Sequence, residues 1–204
     1  MKLLKQFGVV PVSSSVLTAV LSEYRIAALE KAGDLVRLKR GLFVVSAQAS
    51  RQAISRELAA NHILGPSYVS LESALSFYGL IPERVYAVRS ATLKRAKTFS
   101  TPLGVFDYVT VPEKYFPIGI RQEIVENKYA FLIAEPTKAV CDMIVATPNL
   151  RLQSARAMQE YLTENLRLDF DTAKSLDKSI VSQCVKVVKK KTELNWLLKF
   201  LENN

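Results

Sequence analysis

Few side chains in this sequence stand in a pattern that could make or break covalent bonds. The chain has a single histidine, His62. Ser73, inside Leu71-Glu72-Ser73-Ala74-Leu75, lacks the flanking glycines that lift a hydrolase nucleophile out of a strand-to-helix turn. There is no carboxylate pair on one face, no glycine-rich phosphate loop and no His/Cys spacing that suits a metal. Neither an enzyme nor a metal or other cofactor is expected. Lys138 and Asp142 are four apart, a spacing that on a helix reads as a structural pair. Cys141 and Cys184, the two cysteines, lie in apolar helical contexts and read as buried thiols of a reducing compartment.

The charges suit a different chemistry, the binding of a polyanion. Lys and Arg number 28 against 19 Asp and Glu, a net charge of +9. Residues 1–100 hold 14 of those 28 cations but only 6 of the 19 acids, so the excess lies mainly in the first half. Within that half, residues 22–45 read as a helix, a sharp stop and a basic two-stranded hairpin. Ile26 and Leu29 share one helical face, and Tyr24, Ala27, Ala28 and Lys31 fall opposite. Gly33 accepts the left-handed conformation that closes a helix, and Lys31 in the last turn complements the helix dipole. Residues 35–39 and 42–46 then form strands about an Arg40-Gly41 reversal. Val36 and Leu38 alternate with Leu35, Arg37 and Lys39, so one face is expected to pack on the helix while the other carries charge.

That combination is the working half of a winged helix-turn-helix, whose second helix lies in the DNA major groove. Tyr24, Arg25, Ala28 and Lys31 are the candidate DNA contacts on the helix. Small alanines there let the backbone approach and can touch thymine methyls. Arg37, Lys39 and Arg40 are the candidates on the wing, for phosphates or the adjacent minor groove. With no Asn or Gln on the exposed helix face, phosphate and shape contacts should dominate over direct base readout.

The elements that must carry this stretch follow from the pattern on either side. A short helix is expected over residues 3–7, then a serine-capped helix in which Val16, Leu17, Val20 and Leu21 form one buried face. Ser50 is expected to cap a helix over 51–62, and Ser70 a compact helix closed by Gly79. From residue 85 to 120 the pattern turns to short strands, with turn chemistry at Thr101-Pro102-Leu103-Gly104 and a further β-run over 115–120. Arg89, Lys94, Arg95 and Lys97 cluster there, as a solvated sheet face or a second polyanion contact. The continuous apolar run 129–134 reads as a buried strand, and Pro136 opens the helix after it. Helices are expected over 152–166, 176–188 and, capped by Thr192, 193–201, with Leu194, Leu197, Leu198 and Leu201 inward. Lys189, Lys190 and Lys191 read as a solvated loop or as a phosphate contact. Pro11 and Ser13-Ser14-Ser15 interrupt the apolar N-terminal region, and no stretch approaches the ~20 apolar residues of a membrane span, so a cytoplasmic protein without membrane contact is expected.

Three motifs, in order, carry a family resemblance. They are Arg40-Gly41-Leu42-Phe43 in the hairpin, Tyr68-Val69-Ser70-Leu71-Glu72-Ser73-Ala74-Leu75, and Ala134-Glu135-Pro136-Thr137-Lys138-Ala139-Val140-Cys141-Asp142. On these the chain resembles the AbiEi-type antitoxins of type IV toxin-antitoxin pairs. The resemblance covers most of residues 1–150, with Thr137 where the family often has Glu and Val140 where it often has Leu. It implies a transcriptional regulator that represses its own operon by binding double-stranded promoter DNA, and that counteracts a co-encoded nucleotidyltransferase-like toxin. The expected fold is α+β: a winged helix-turn-helix DNA-binding domain over residues 1–48, then a mixed α/β antitoxin domain over 49–204 with an antiparallel sheet and C-terminal helices. The rival reading is a stand-alone winged-helix regulator with no toxin partner.

Overall fold

The computed structural model describes residue 4, residues 6–83 and residues 85–203. The expected helix over 3–7 falls partly outside them. The described chain begins with a short strand, β1 (Val12–Ser13), followed by α1 (Ser14–Thr18), α2 (Glu23–Lys31), β2 (Leu35–Lys39) and β3 (Leu42–Val45). Serines start both helices: Ser13 Oγ accepts from the Val16 amide and Ser22 Oγ from the Arg25 amide. Helix α2 ends at Gly33 (φ +78°). There the Asp34 amide donates to the Leu29 carbonyl at 2.9 Å and the Gly33 amide to that of Glu30 at 3.0 Å, the paired bonds of a Schellman stop. Gly41 (φ +77°) turns the chain between β2 and β3.

The three strands are antiparallel in the order β1-β3-β2. Strand β3 is buried on both faces, and its alternation divides the interior. Phe43 and Val45 join Val12, Leu17, Ile26, Leu29 and Leu35 in a cluster under the helices, whereas Leu42 and Val44 join Leu38 and Val9 in a larger second cluster. The hairpin is thus a wall shared by two cores. This corrects the expected facing of β2: Val36 and Leu38 pack toward the larger core, and Leu35 faces α2. A register shift between Arg37 and Lys39 carries Leu38 and Lys39 to that side. Helix α1 also departs from expectation. It has only five residues, enough to bury Leu17, so Val16 and Val20 stay 49% and 47% exposed.

The helix expected over 51–62 under a Ser50 cap starts five residues later, and a separate short helix precedes it. Ser46 caps α3 (Ala47–Ser50), which Arg51 ends in the left-handed region, and Ser55 caps α4 (Arg56–Ile63). A six-stranded sheet follows, built from β4 (Ser67–Val69), β5 (Val88–Thr92), β6 (Lys97–Thr101), β7 (Gly104–Thr110), β8 (Ile120–Val125) and β9 (Tyr129–Ala134) in the order β6-β7-β5-β4-β9-β8. It is mixed rather than purely antiparallel, because β4 runs parallel to β9 and β5 parallel to β7. The expected β-run over 115–120 is a series of turns, held by the amides of Tyr115 and Phe116 bonding back to the Pro112 carbonyl, and strand begins only at Ile120.

Helix α5 (Leu71–Phe77) packs against α6 (Pro136–Ala146). The C-terminal part is helical: α7 (Ala155–Glu160), which runs into a π-helical turn at Tyr161–Asn165, then α8 (Phe170–Lys174), α9 (Lys178–Val187) and α10 (Lys191–Glu202). Helix α10 starts one residue before the expected Thr192 cap and buries Phe200, leaving Leu198 half-buried. Lys190 is not a solvated loop residue, since its ammonium bonds to the carbonyls of Ile144 and Thr147 at the end of α6. The fold is therefore mixed α+β, and among the described residues no helix is long and apolar enough to cross a membrane.

Candidate nucleic-acid interface

Helix α2 turns Ile26 and Leu29 into the smaller core, which leaves its other side outward. Tyr24 is 86% exposed, Arg25, Ala27 and Lys31 are exposed, and Ala28 is half-buried. Among the described residues no carboxylate pairs with Arg25, Lys31 or Arg40. Arg40 stands exposed at the two-residue tip of the hairpin. Between α1, α2 and the hairpin runs a groove of about 330 Å³, with Ser14, Thr18, Glu23, Arg37, Arg40 and Phe43 among its walls.

The three basic wing residues have different situations. Arg37 grips Glu30 on α2 through two bonds, Nε to Oε1 at 2.7 Å and Nη2 to Oε2 at 2.6 Å. Its guanidinium also lies over the Phe43 ring, 4.9 Å from the centroid. The bond from Arg37 holds the Glu30 carboxyl below its usual range, and the same bond raises Arg37. Lys39 turns away from the groove and donates to the Ile63 carbonyl at 2.6 Å, near the end of α4. Burial lowers its pKa, and the nearby Lys94 and Lys97 ammoniums lower it further. Arg40 alone of the three has an uncommitted charge. The structure thus brings Arg37 and Arg40 to one groove beside α2 and sends Lys39 to the larger core.

Sequence reasoning missed Ser14, Thr18 and Phe43 as groove residues, and Glu30 as the partner of Arg37. Glu30 and Arg37 are seven apart across a helix stop, outside the three- and four-residue spacing that marks a helical pair. The basic cluster of the sheet also divides. Arg89 is bonded to Glu72 at 2.7 and 2.8 Å and approaches Asp107 at 3.5 Å, whereas Lys94, Arg95 and Lys97 are exposed.

A second concentration of polar groups is sealed inside the larger core. The Asp142 carboxylate accepts from Ser70 Oγ at 2.5 Å and from the Tyr115 hydroxyl at 2.6 Å, and lies 3.4 Å from Lys138 Nζ. Lys138 donates to the Tyr115 carbonyl at 2.9 Å, and its ammonium sits 3.0 Å from the Tyr115 ring centroid. Ser70, Tyr115, Lys138 and Asp142 all have no exposed surface. Burial, then the Asp142 charge, pushes the Tyr115 hydroxyl well above its ordinary value. The bond to Cys184, then burial, does the same to the Cys141 thiol beside it. These groups are closed off from solvent. Their arrangement ties the β4–α5 junction, the 112–119 turns and α6 together, and Lys138 and Asp142 are the structural pair expected from their spacing.

The chain matches no protein-family model and no curated protein.

Proposed function

We propose that the chain is a winged-helix DNA-binding repressor of its own promoter, and that it serves as the antitoxin to a co-encoded nucleotidyltransferase-like toxin. The first part rests on one observation: a short helix and a nine-residue helix precede a hairpin whose second strand lies between β1 and β2, and the longer helix offers its outer side to a groove the hairpin flanks. A winged helix-turn-helix presents its recognition helix and wing in this relation. An α-helix is ~10–12 Å across with its side chains, a fit to a major groove ~12 Å wide. Tyr24, Arg25, Ala28 and Lys31 would face the bases and flanking phosphates, and Arg37 and Arg40 the backbone beside them. Lys39 takes no part in this version of the site, because its ammonium is spent on the Ile63 carbonyl. Binding to duplex DNA from upstream of the gene, with loss of affinity in an Arg25→Ala/Arg40→Ala variant, tests it.

The antitoxin part rests on the resemblance of the three motifs to AbiEi-type antitoxins. One observation favours the rival, a regulator without a toxin partner. The motif residues Tyr68, Ser70, Lys138 and Asp142 are buried, so they support a fold and offer a toxin no surface. Co-expression with the neighbouring gene product separates the two: rescue of growth supports the antitoxin, and a neighbour that is harmless, or toxic without rescue, leaves the regulator.

A further inference from the structure

Glu30 reaches the wing from the last turn of α2. It is the one acidic side chain bonded to a candidate DNA-contacting arginine among the described residues, and it meets Arg37 with both carboxylate oxygens at 2.6 and 2.7 Å. A guanidinium offers this same fork to two oxygens of a phosphate. The guanidinium also lies over the Phe43 ring, 4.9 Å from its centroid, a contact that favours this direction of the fork. The pair is accessible: the Arg37 side chain is 49% and that of Glu30 31% exposed. Arg37 also lines the groove that carries Arg40, Ser14 and Thr18.

We infer that Glu30 is an internal stand-in for a backbone phosphate, holding Arg37 closed in the unbound chain and giving way to a phosphodiester of duplex DNA in the groove between Arg37 and Arg40. The inference rests on the DNA-binding reading and assigns its regulation. Each engagement of Arg37 with DNA then exchanges one anion for another, and the freed carboxylate regains a counterion. The arginine consequently adds less to affinity and to salt dependence than an uncommitted one such as Arg40. Glu30 acts as a threshold that weak, sequence-independent encounters must overcome.

The test is a double-mutant cycle of Glu30→Gln and Arg37→Ala, read as affinity for a duplex from upstream of the chain's own gene over a salt series. Glu23→Gln serves as the control of equal charge on the same helix. Glu30→Gln should bind roughly 2- to 5-fold tighter, the Boltzmann factor of an exposed pair that no longer has to be broken. Its salt slope should steepen by up to about one. Both gains should vanish in the Arg37→Ala background and should exceed those of Glu23→Gln. A Glu30→Gln gain that persists without Arg37, or that Glu23→Gln equals, is a plain effect of net charge and overturns the inference, as does no gain at all. In either case a wild-type chain that binds the duplex leaves the DNA reading standing. A wild-type chain that fails to bind overturns both.

Discussion

Asp142 offers the sharpest quantitative test of what holds the larger core. Its carboxylate receives two hydroxyl bonds, at 2.5 and 2.6 Å, and sits 3.4 Å from the Lys138 ammonium, all without exposed surface. Asp142→Asn keeps the shape but removes the charge. Lys138 is then left with the Tyr115 carbonyl and aromatic faces, and the amide nitrogen, a donor, meets a hydroxyl that was itself donating. Breaking one side of a buried pair costs about 3–5 kcal/mol. Lys138→Met strands the carboxylate in the same way, although its two hydroxyl donors keep that cost near the lower end, about 3 kcal/mol. The double variant strands no charge, so it should cost about 2–3 kcal/mol less than the sum of the singles. Against a total stability of about 5–15 kcal/mol, the singles should stay folded in buffer. In urea, with a slope of about 2–3 kcal/mol per molar, their midpoints should fall by about 1–2 M. Unfolding followed by far-ultraviolet circular dichroism measures this. Singles that each lose under about 1 kcal/mol, or a double that equals their sum, would refute the reasoning.

Other expectations follow from single contacts. Arg40→Ala should weaken duplex binding and lower the salt slope by about one, while Lys39→Met should leave both nearly unchanged, since its ammonium caps the Ile63 carbonyl; a titration of both variants over the same salts compares them. A Cβ at Gly119 would stand 2.9 Å from Lys138 Cβ and 3.0 Å from Ile180 Cγ2, at φ +60°. Gly119→Ala should therefore cost about 1–3 kcal/mol in urea unfolding, and an unchanged midpoint would contradict the packing. Lys190→Met removes a donor from the Ile144 and Thr147 carbonyls and should cost about 1–3 kcal/mol by the same assay. Because Arg37 depresses the Glu30 pKa, the stabilisation from that pair is present above the usual carboxylate range and is lost only as pH falls through the depressed value. The ratio of Glu30→Gln to wild-type DNA affinity should accordingly stay flat between about pH 5 and 8, and a ratio that collapses on going to pH 5 would show the pair already broken.

Local signals in the sequence reach the structure where a local cause decides the outcome. The Gly33 stop and the Arg40-Gly41 reversal each act within a few residues, and the end of α2 and the strands β2 and β3 appear where those signals put them. Pro136 opens its helix, and the continuous run 129–134 forms its strand, for the same reason. What the pattern could not give is which of two cores a strand faces. Both sides of β3 are apolar, so alternation alone does not say that Val44 looks toward a different cluster from Phe43. The same gap hid the fate of Lys39, whose partner Ile63 is 24 residues away. Ser50 reads as a cap from its place before the apolar pattern, yet it closes α3, the left-handed Arg51 ends that helix, and the cap of α4 is Ser55. At the groove, the outward residues of α2 were legible from helical periodicity. The Glu30–Arg37 pair was not, because tertiary contact rather than spacing creates it.

DNA binding by α2 and the hairpin tip is open to direct measurement. The assay is anisotropy of a labelled duplex from upstream of the gene, titrated with wild type and with Arg25→Ala/Lys31→Ala/Arg40→Ala over a salt series, with a scrambled duplex of equal length as the reference. Wild type should bind the upstream duplex preferentially. The variant should be weaker on both duplexes, with a salt slope shallower by roughly one for each phosphate contact removed. Equal binding by wild type and variant, or no binding by wild type even at low salt, would contradict DNA binding by these elements.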